Sequence, residues 1–127
     1  MKKIEAVIRR ERFEVVDEAL KKIGVGGLTL EEVKGRGRTR LVTTVHMRGV
    51  WTQEDEYIRH IKLEIIAKDN EVGKVVDTIL SSATTGSPGD GKIFVSGVDE
   101  FLDIGTKQSG DRAIEIEANP PVMVQVP

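Results

Sequence analysis

Apolar and polar positions alternate at the start of the chain. Ile4, Ala6 and Ile8 fall on one side, and Glu5, Val7 and Arg9 on the other. A period of two predicts a strand. The period then changes. Phe13, Val16, Leu20 and Ile23, with Ala19, make one helical stripe, and Gly24 ends it. Leu28-Thr29-Leu30 through Val33 reads as a second strand. From about Arg36 to Glu56 no clear period is visible, and the segment is charged and punctuated by glycine. A loop of that length in a small domain is usually functional or disordered. Alternation resumes over Ile58–Ile66 as a third strand. Val72, Val75, Val76, Ile79, Leu80 and Ala83 form a second helical stripe. A glycine-rich loop follows, then a strand over about Lys92–Val98. From Gly105 the chain is mostly polar, and the segment 118–127 carries a double proline that blocks helix.

The order strand–helix–strand–strand–helix–strand is the split βαβ, or ferredoxin-like, pattern (βαββαβ). It predicts an α+β domain with an antiparallel sheet and two helices on one face. The other sheet face is expected to carry apolar residues such as Val7, Ile66 and Val95, which points to self-association. This fold hosts many activities, so it does not give function by itself.

Composition narrows the function classes. The chain has 127 residues, a length for one domain. Its formal net charge is −2 and it has five aromatic residues, so nothing in the balance calls for nucleic acid. There is no cysteine, which removes disulfide and thiolate chemistry. No apolar run reaches the roughly 20 residues of a membrane span. MKKIEAVIRR lacks a signal-peptide core, so the cytoplasm is the expected compartment.

The densest candidate chemistry is Thr85-Gly86-Ser87-Pro88-Gly89-Asp90-Gly91-Lys92, running into Ile93-Phe94-Val95. Three glycines let backbone amides turn toward one point, and a lysine adds positive charge. Such a loop suits a phosphate. It is not a Walker loop, which needs Ser/Thr after the lysine and then a helix. A helix-to-strand turn with a solvated Lys92 fits the local sequence equally well. His46 and His60, with Asp55 and Glu56 nearby, lack tight metal-ligand spacing, so no metal site is expected. Asp17-Glu18, Glu31-Glu32 and Asp99-Glu100 read as solvated acids. No nucleophile–base pair is visible, so no catalytic residues are expected.

Over roughly residues 1–115 the chain resembles the PII signal-transduction (nitrogen regulatory) family, as a divergent member. Met1–Arg9 resembles the family's first strand. Leu28-Thr29 and Glu32-Val33-Lys34-Gly35-Arg36-Gly37-Arg38 resemble the second strand and its exit into the T-loop. Ile61–Ile65 matches the third strand, and Thr85–Val95 matches the C-terminal signature. The resemblance implies a homotrimer that holds ATP or ADP, with AMP possible, in clefts between subunits. It places Gly35, Gly37, Arg38, Gly86, Gly89, Asp90, Gly91 and Lys92 around the phosphates, and Thr29, Glu64 and Ile66 near the adenine. Residues 1–115 would form the domain, about 36–56 the T-loop, and 116–127 a C-terminal tail. The T-loop would contact a metabolic enzyme, transporter or regulator, with Arg48 and Trp51 as partner-binding positions; a membrane would be met only through a transporter.

Several positions depart from the family pattern. Two phosphate-clamping arginines from the neighbouring subunit read Asp103 and Gly105, and a carboxylate repels a polyphosphate. The glutamine and lysine that serve Mg²⁺ and 2-oxoglutarate read Thr39 and His60, which argues against the usual 2-oxoglutarate site. His60 is read instead as a strand residue facing a subunit contact. Tyr57, the only tyrosine, sits at the T-loop exit, away from the position modified in some members. The expectation is a regulator that senses adenine nucleotides, in nitrogen or carbon metabolism. The alternatives are a divergent sensor of ADP, AMP or another small anion, with weakened ATP and 2-oxoglutarate binding, and a small phosphohydrolase on the same fold.

Overall fold

A computed structural model describes residues 1–37, 43–55, 57–117 and 124–126. The elements in chain order are β1 (Lys2–Arg9), a 3-10 turn (Arg10–Arg12), α1 (Phe13–Lys22), β2 (Thr29–Gly35), β3 (Thr43–Met47), β4 (Val50–Asp55), β5 (Ile58–Ala67), a 3-10 turn (Asp69–Glu71), α2 (Val72–Ala83), β6 (Gly91–Gly97) and α3 (Asp111–Glu117). The main sheet has the order β2-β5-β1-β6, with every neighbouring pair antiparallel. This is the expected ferredoxin-like arrangement.

The alternation seen in the sequence becomes the core. Ile4, Ala6 and Ile8 of β1 and Ile61, Leu63, Ile65 and Ala67 of β5 are buried on one face. They meet Val16 and Leu20 of α1 and Val75, Ile79 and Ala83 of α2. Removing a fully buried leucine side chain at such a position typically costs about 2–5 kcal/mol. α1 ends where Gly24 takes φ +90°. There the Gly24 amide donates to the Lys21 carbonyl (3.0 Å) and the Val25 amide to the Leu20 carbonyl (3.0 Å), a Schellman closure. Arg12 fastens the two helices. Its Nε and Nη2 both donate to the Ser82 carbonyl, at 3.1 and 2.6 Å, and neutralise the last turn of α2.

The opposite sheet face is largely a ladder of alternating charge. Lys3 pairs with Glu5 (3.2 Å) and Glu64 (3.8 Å), and Lys62 with Glu5 (3.8 Å) and Glu31 (3.8 Å). The Lys3 ammonium is the first cause that holds the Glu5 carboxyl below its usual range. Val7 and Ile66 lie on this face, as expected. Val95 does not: it is opposite Ile4 in the β1–β6 register, and therefore points to the helix side, while Phe94, opposite Glu5, takes the charged face.

Two regions differ from the sequence reading. Within the segment read as unpatterned, β3 and β4 form a two-stranded sheet of their own. Its turn is Arg48-Gly49, with φ +53° and +79°. Positive φ at both central residues is the tight hairpin turn whose twist matches its strands. Within the polar C-terminal region, α3 buries Ala113 and Ile114 and ties back through Lys68 Nζ to Glu115 Oε1 at 2.9 Å. The helix crosses the expected boundary at 115, and most of the expected tail (118–123 and 127) lies outside the described residues.

Candidate functional site

The loop between α2 and β6 is organised by one carboxylate. Asp90 Oδ2 accepts the amides of Thr85 (2.8 Å) and Gly86 (3.0 Å), and Oδ1 accepts the Thr85 hydroxyl (2.5 Å). Glycine serves here because Gly86 and Gly89 take φ +80° and +91°. The carboxyl is driven well below the ordinary carboxylate range. The Thr85 hydroxyl is the largest cause, then the Thr85 amide; Arg9 and the Gly86 amide add to it. Asp90 therefore acts on the loop's own backbone and occupies two of its inward amides.

Two strand residues hold this loop to the sheet. Arg9, at the end of β1, places Nε 3.0 Å from Asp90 Oδ1, and its Nη2 donates to the Pro88 carbonyl. His60, opposite Arg9 in β5, is only 6% exposed. Its Nδ1 lies 2.9 Å from the Ile58 carbonyl oxygen and its Nε2 2.9 Å from that of Gly89. Neither tie is local: Arg9 is 81 residues from Asp90 and His60 is 29 from Gly89. Sequence reasoning missed Arg9 altogether. It took His60 for a strand residue at a subunit contact, whereas within the chain the ring is a strut beneath the loop.

Gly91 has a different reason from the other glycines. At φ +114° a Cβ would stand 1.7 Å from the Val7 carbonyl oxygen, so no side chain fits. Lys92 follows on the charged face, opposite Val7, with its ammonium 5.7 Å from the Phe94 ring centroid.

The sequence-predicted residues fall into two groups. Gly35 lies beside the His60 ring, which a Cβ built on it would meet at 3.9 Å. Gly37 lies two residues beyond the end of β2, next to Arg36, which stands 5.6 Å from the Tyr57 ring and links the two stems of the 36–56 segment. Thr29 and Glu64 are directly opposite one another, with Thr29 Oγ1 3.5 Å from Glu64 Oε2. They line an open depression of about 230 Å³ with Leu30, Glu31 and Lys62. Six residue steps, about 20 Å, separate Thr29 from Gly35 along β2. Ile66 lies farther along β5 and borders a separate cavity of about 220 Å³ behind α2 and α3. Arg38 and Thr39 lie outside the described residues. Trp51 is opposite His46 in the β3–β4 register, one pair from the exposed Arg48-Gly49 turn.

Asp103 also binds its own backbone. Its Oδ1 accepts the amide (2.8 Å) and hydroxyl (3.0 Å) of Thr106, the two leading causes of a lowered carboxyl pKa. Ile104 beside it is 94% exposed. Among the described residues there is no cluster of three or more His, Cys, Asp or Glu able to hold a metal. Among them, too, no helix is long and apolar enough to cross a membrane.

Comparison with known proteins identifies the family. The family model for nitrogen regulatory protein P-II matches residues 1–108. The nitrogen regulatory protein P-II 2 of Methanothermobacter thermautotrophicus is 47% identical over 114 residues, covering 90% of this chain and 97% of the relative. Nitrogen regulatory protein P-II 1 of Escherichia coli K12 is 42% identical over 114 residues, 90% of this chain and all of that protein (100%). The P-II protein of Microchaete diplosiphon is 40% identical over the same length, with 90% and 100% covered.

Proposed function

We propose a function from one premise: the chain belongs to the nitrogen regulatory protein P-II family. It is a signalling regulator of that family rather than an enzyme. In our reading it senses adenine nucleotides. The observation that carries this is the loop at 84–92, held by Asp90 from within and by Arg9 and His60 from the sheet. A preorganised anion loop loses little entropy on binding. With two inner amides given to Asp90, the phosphate partners are the loop's outer rim, Gly89 and Lys92, together with Gly35, Gly37 and Arg38 at the T-loop base.

Thr29, Glu64 and Ile66 stand far from that rim on the same chain. The nucleotide therefore bridges two chains of a homotrimer, with the phosphates on one loop and the adenine at the neighbour's Thr29–Glu64 end. The hairpin β3–β4 lies within the T-loop, and its exposed Arg48 turn and Trp51 meet the target, an enzyme, transporter or regulator. Nucleotide binding shifts the population of T-loop arrangements, and the target selects among them.

Asp103 favours the divergent form of this reading. It stands where a clamping cation is expected, and its charge is tied to Thr106. Losing two charge-assisted contacts, each worth about 1.5–3 kcal/mol, favours ligands with fewer phosphates. Calorimetric titration with ATP, ADP, AMP and 2-oxoglutarate is the test. ADP or AMP binding as tightly as ATP, with 2-oxoglutarate silent, is the expected pattern. No adenine nucleotide bound below millimolar concentration would end the sensing claim.

A further inference from the structure

We infer that Arg10, Lys34 and Arg59 form a second anion site, at the root of the 36–56 segment, for a small oxyanion with two or more charged groups. Lys34 of β2 and Arg59 of β5 are directly opposite one another in the sheet. Like charges in that relation destabilise a strand pair. Arg10, in the turn after β1, adds a third cation. Its Nε lies 3.6 Å from Glu32 Oε1 of β2, so the side chain reaches across β5 toward the same edge of the sheet. These residues, with Val33 and His60, line a hollow of about 310 Å³ in which Glu32 is the one carboxylate. The Arg10–Glu32 pair is exposed, and exposed ion pairs add little. The Arg59 guanidinium has no ion pair among the described residues. Three cations are thus gathered where gathering them costs stability, and an anion bound between them offsets that cost.

The site is separate from the nucleotide reading and does not rest on it. Thr29, Lys62 and Glu64 occupy the charged face of the sheet, as does Lys92. Arg59 has the parity of Ile61, Leu63 and Ile65, and so opens on the helix face. Lys34, its partner in the register, does the same. Neighbouring strands lie about 4.8 Å apart, so a row across β2, β5 and the exit of β1 spans about 10 Å. One compact charge does not fill such a row, whereas two linked charged groups do. Guanidinium forks suit phosphate and carboxylate oxygens alike, so the ligand class is a diphosphate or a polycarboxylate. Lys34 precedes Gly35, and Arg59 follows Tyr57-Ile58. A bound anion therefore ties together the two stems of the 36–56 segment, beside the Arg36–Tyr57 contact.

The test is an NMR titration of the full chain at neutral pH, without nucleotide. The probes are pyrophosphate and citrate, with sodium chloride holding the ionic strength constant. We expect saturable shifts at the Lys34 and Arg59 amides and at the Arg59 Nε–H with at least one of the two. Saturation by pyrophosphate alone assigns a phosphate ligand, and by citrate alone a polycarboxylate. Arg59→Gln and Arg10→Gln should each weaken binding by about tenfold or more, the worth of one charge-assisted hydrogen bond. Lys74→Gln removes the same charge from α2 and should leave the affinity unchanged. Unchanged amides in the middle of β1 show that a variant is folded, and if one arginine variant fails to fold the other decides. Shifts that never saturate, that chloride reproduces, or that are confined to Gly86–Lys92 overturn the inference. Wild-type affinity in the folded arginine variants overturns it as well. ADP is absent throughout, so the nucleotide reading stands or falls separately.

Discussion

The loop at 84–90 and the hairpin at 43–55 are both glycine-turned connections, yet they are held in different ways. The loop has no ladder of its own. Side chains from distant strands and its own Asp90 fix nearly every bend. The hairpin is the reverse: its backbone pairs with itself from Met47–Val50 to Thr43–Asp55, and it forms a sheet separate from the main one. A two-stranded ribbon alone is marginal in water. A region fixed by the body suits ligand capture, and a region fixed by its own ladder suits reach.

The sharpest way to break this contrast is at Gly91. Gly91→Ala drives a Cβ into the Val7 carbonyl at positive φ, so β6 must leave β1. Urea unfolding should show a loss of at least about 3 kcal/mol. Arg9→Met comes next. It removes the guanidinium from Asp90 and Pro88 while keeping the aliphatic stem, and should cost about 1–2 kcal/mol. The same variant should weaken ADP binding in calorimetry, because the loop it frees is the proposed phosphate rim.

Asp90 gives a pH test. Its carboxyl lies below the ordinary range in the folded chain, so its stabilising effect is complete above the unfolded value. That effect fades as pH falls below about 4 toward the folded value. The protection of the Thr85 and Gly86 amides against hydrogen exchange, relative to the intrinsic rate at each pH, should therefore fall in acid, and Asp90→Asn should show low protection already at neutral pH. Slow exchange in D90N would mean that the carboxylate does not organise the loop.

The smallest effect is expected at the hairpin tip. Gly49→Ala places a Cβ at φ +79° and should weaken the ribbon by about 1 kcal/mol. Exchange of the β3–β4 amides should rise while the urea midpoint of the body stays put. A shift in that midpoint would show that the hairpin is not independent.

The contrast also explains what the sequence could disclose. Ile4-Ala6-Ile8 and Ile61-Leu63-Ile65 carry the sheet in their alternation, and Phe13-Val16-Leu20 carries α1, because burial itself imposes those periods. The hairpin was missed because its turn is Arg-Gly, where Asn-Gly is the usual signal, and Thr43-Thr44-Val45-His46-Met47 has no clean apolar side. α3 was missed because, among its described side chains, only Ala113 and Ile114 are buried. In the site, the glycine loop was legible, but Gly91 was credited to phosphate binding when contact with the Val7 backbone already demands it. Arg9 and His60 were opaque because their partners come from other parts of the chain, and no local pattern marks such a contact.

The central claim is that the prearranged loop at 84–92 receives a nucleotide and that the hairpin responds. Amide spectra of the full chain at pH 7, recorded as ADP is added, test it most directly. The account predicts saturable shifts at Gly86, Gly89, Gly91 and Lys92, accompanied by shifts at His46–Gly49. Loop amides that stay fixed at millimolar ADP, or a hairpin that stays fixed while the loop saturates, would contradict it.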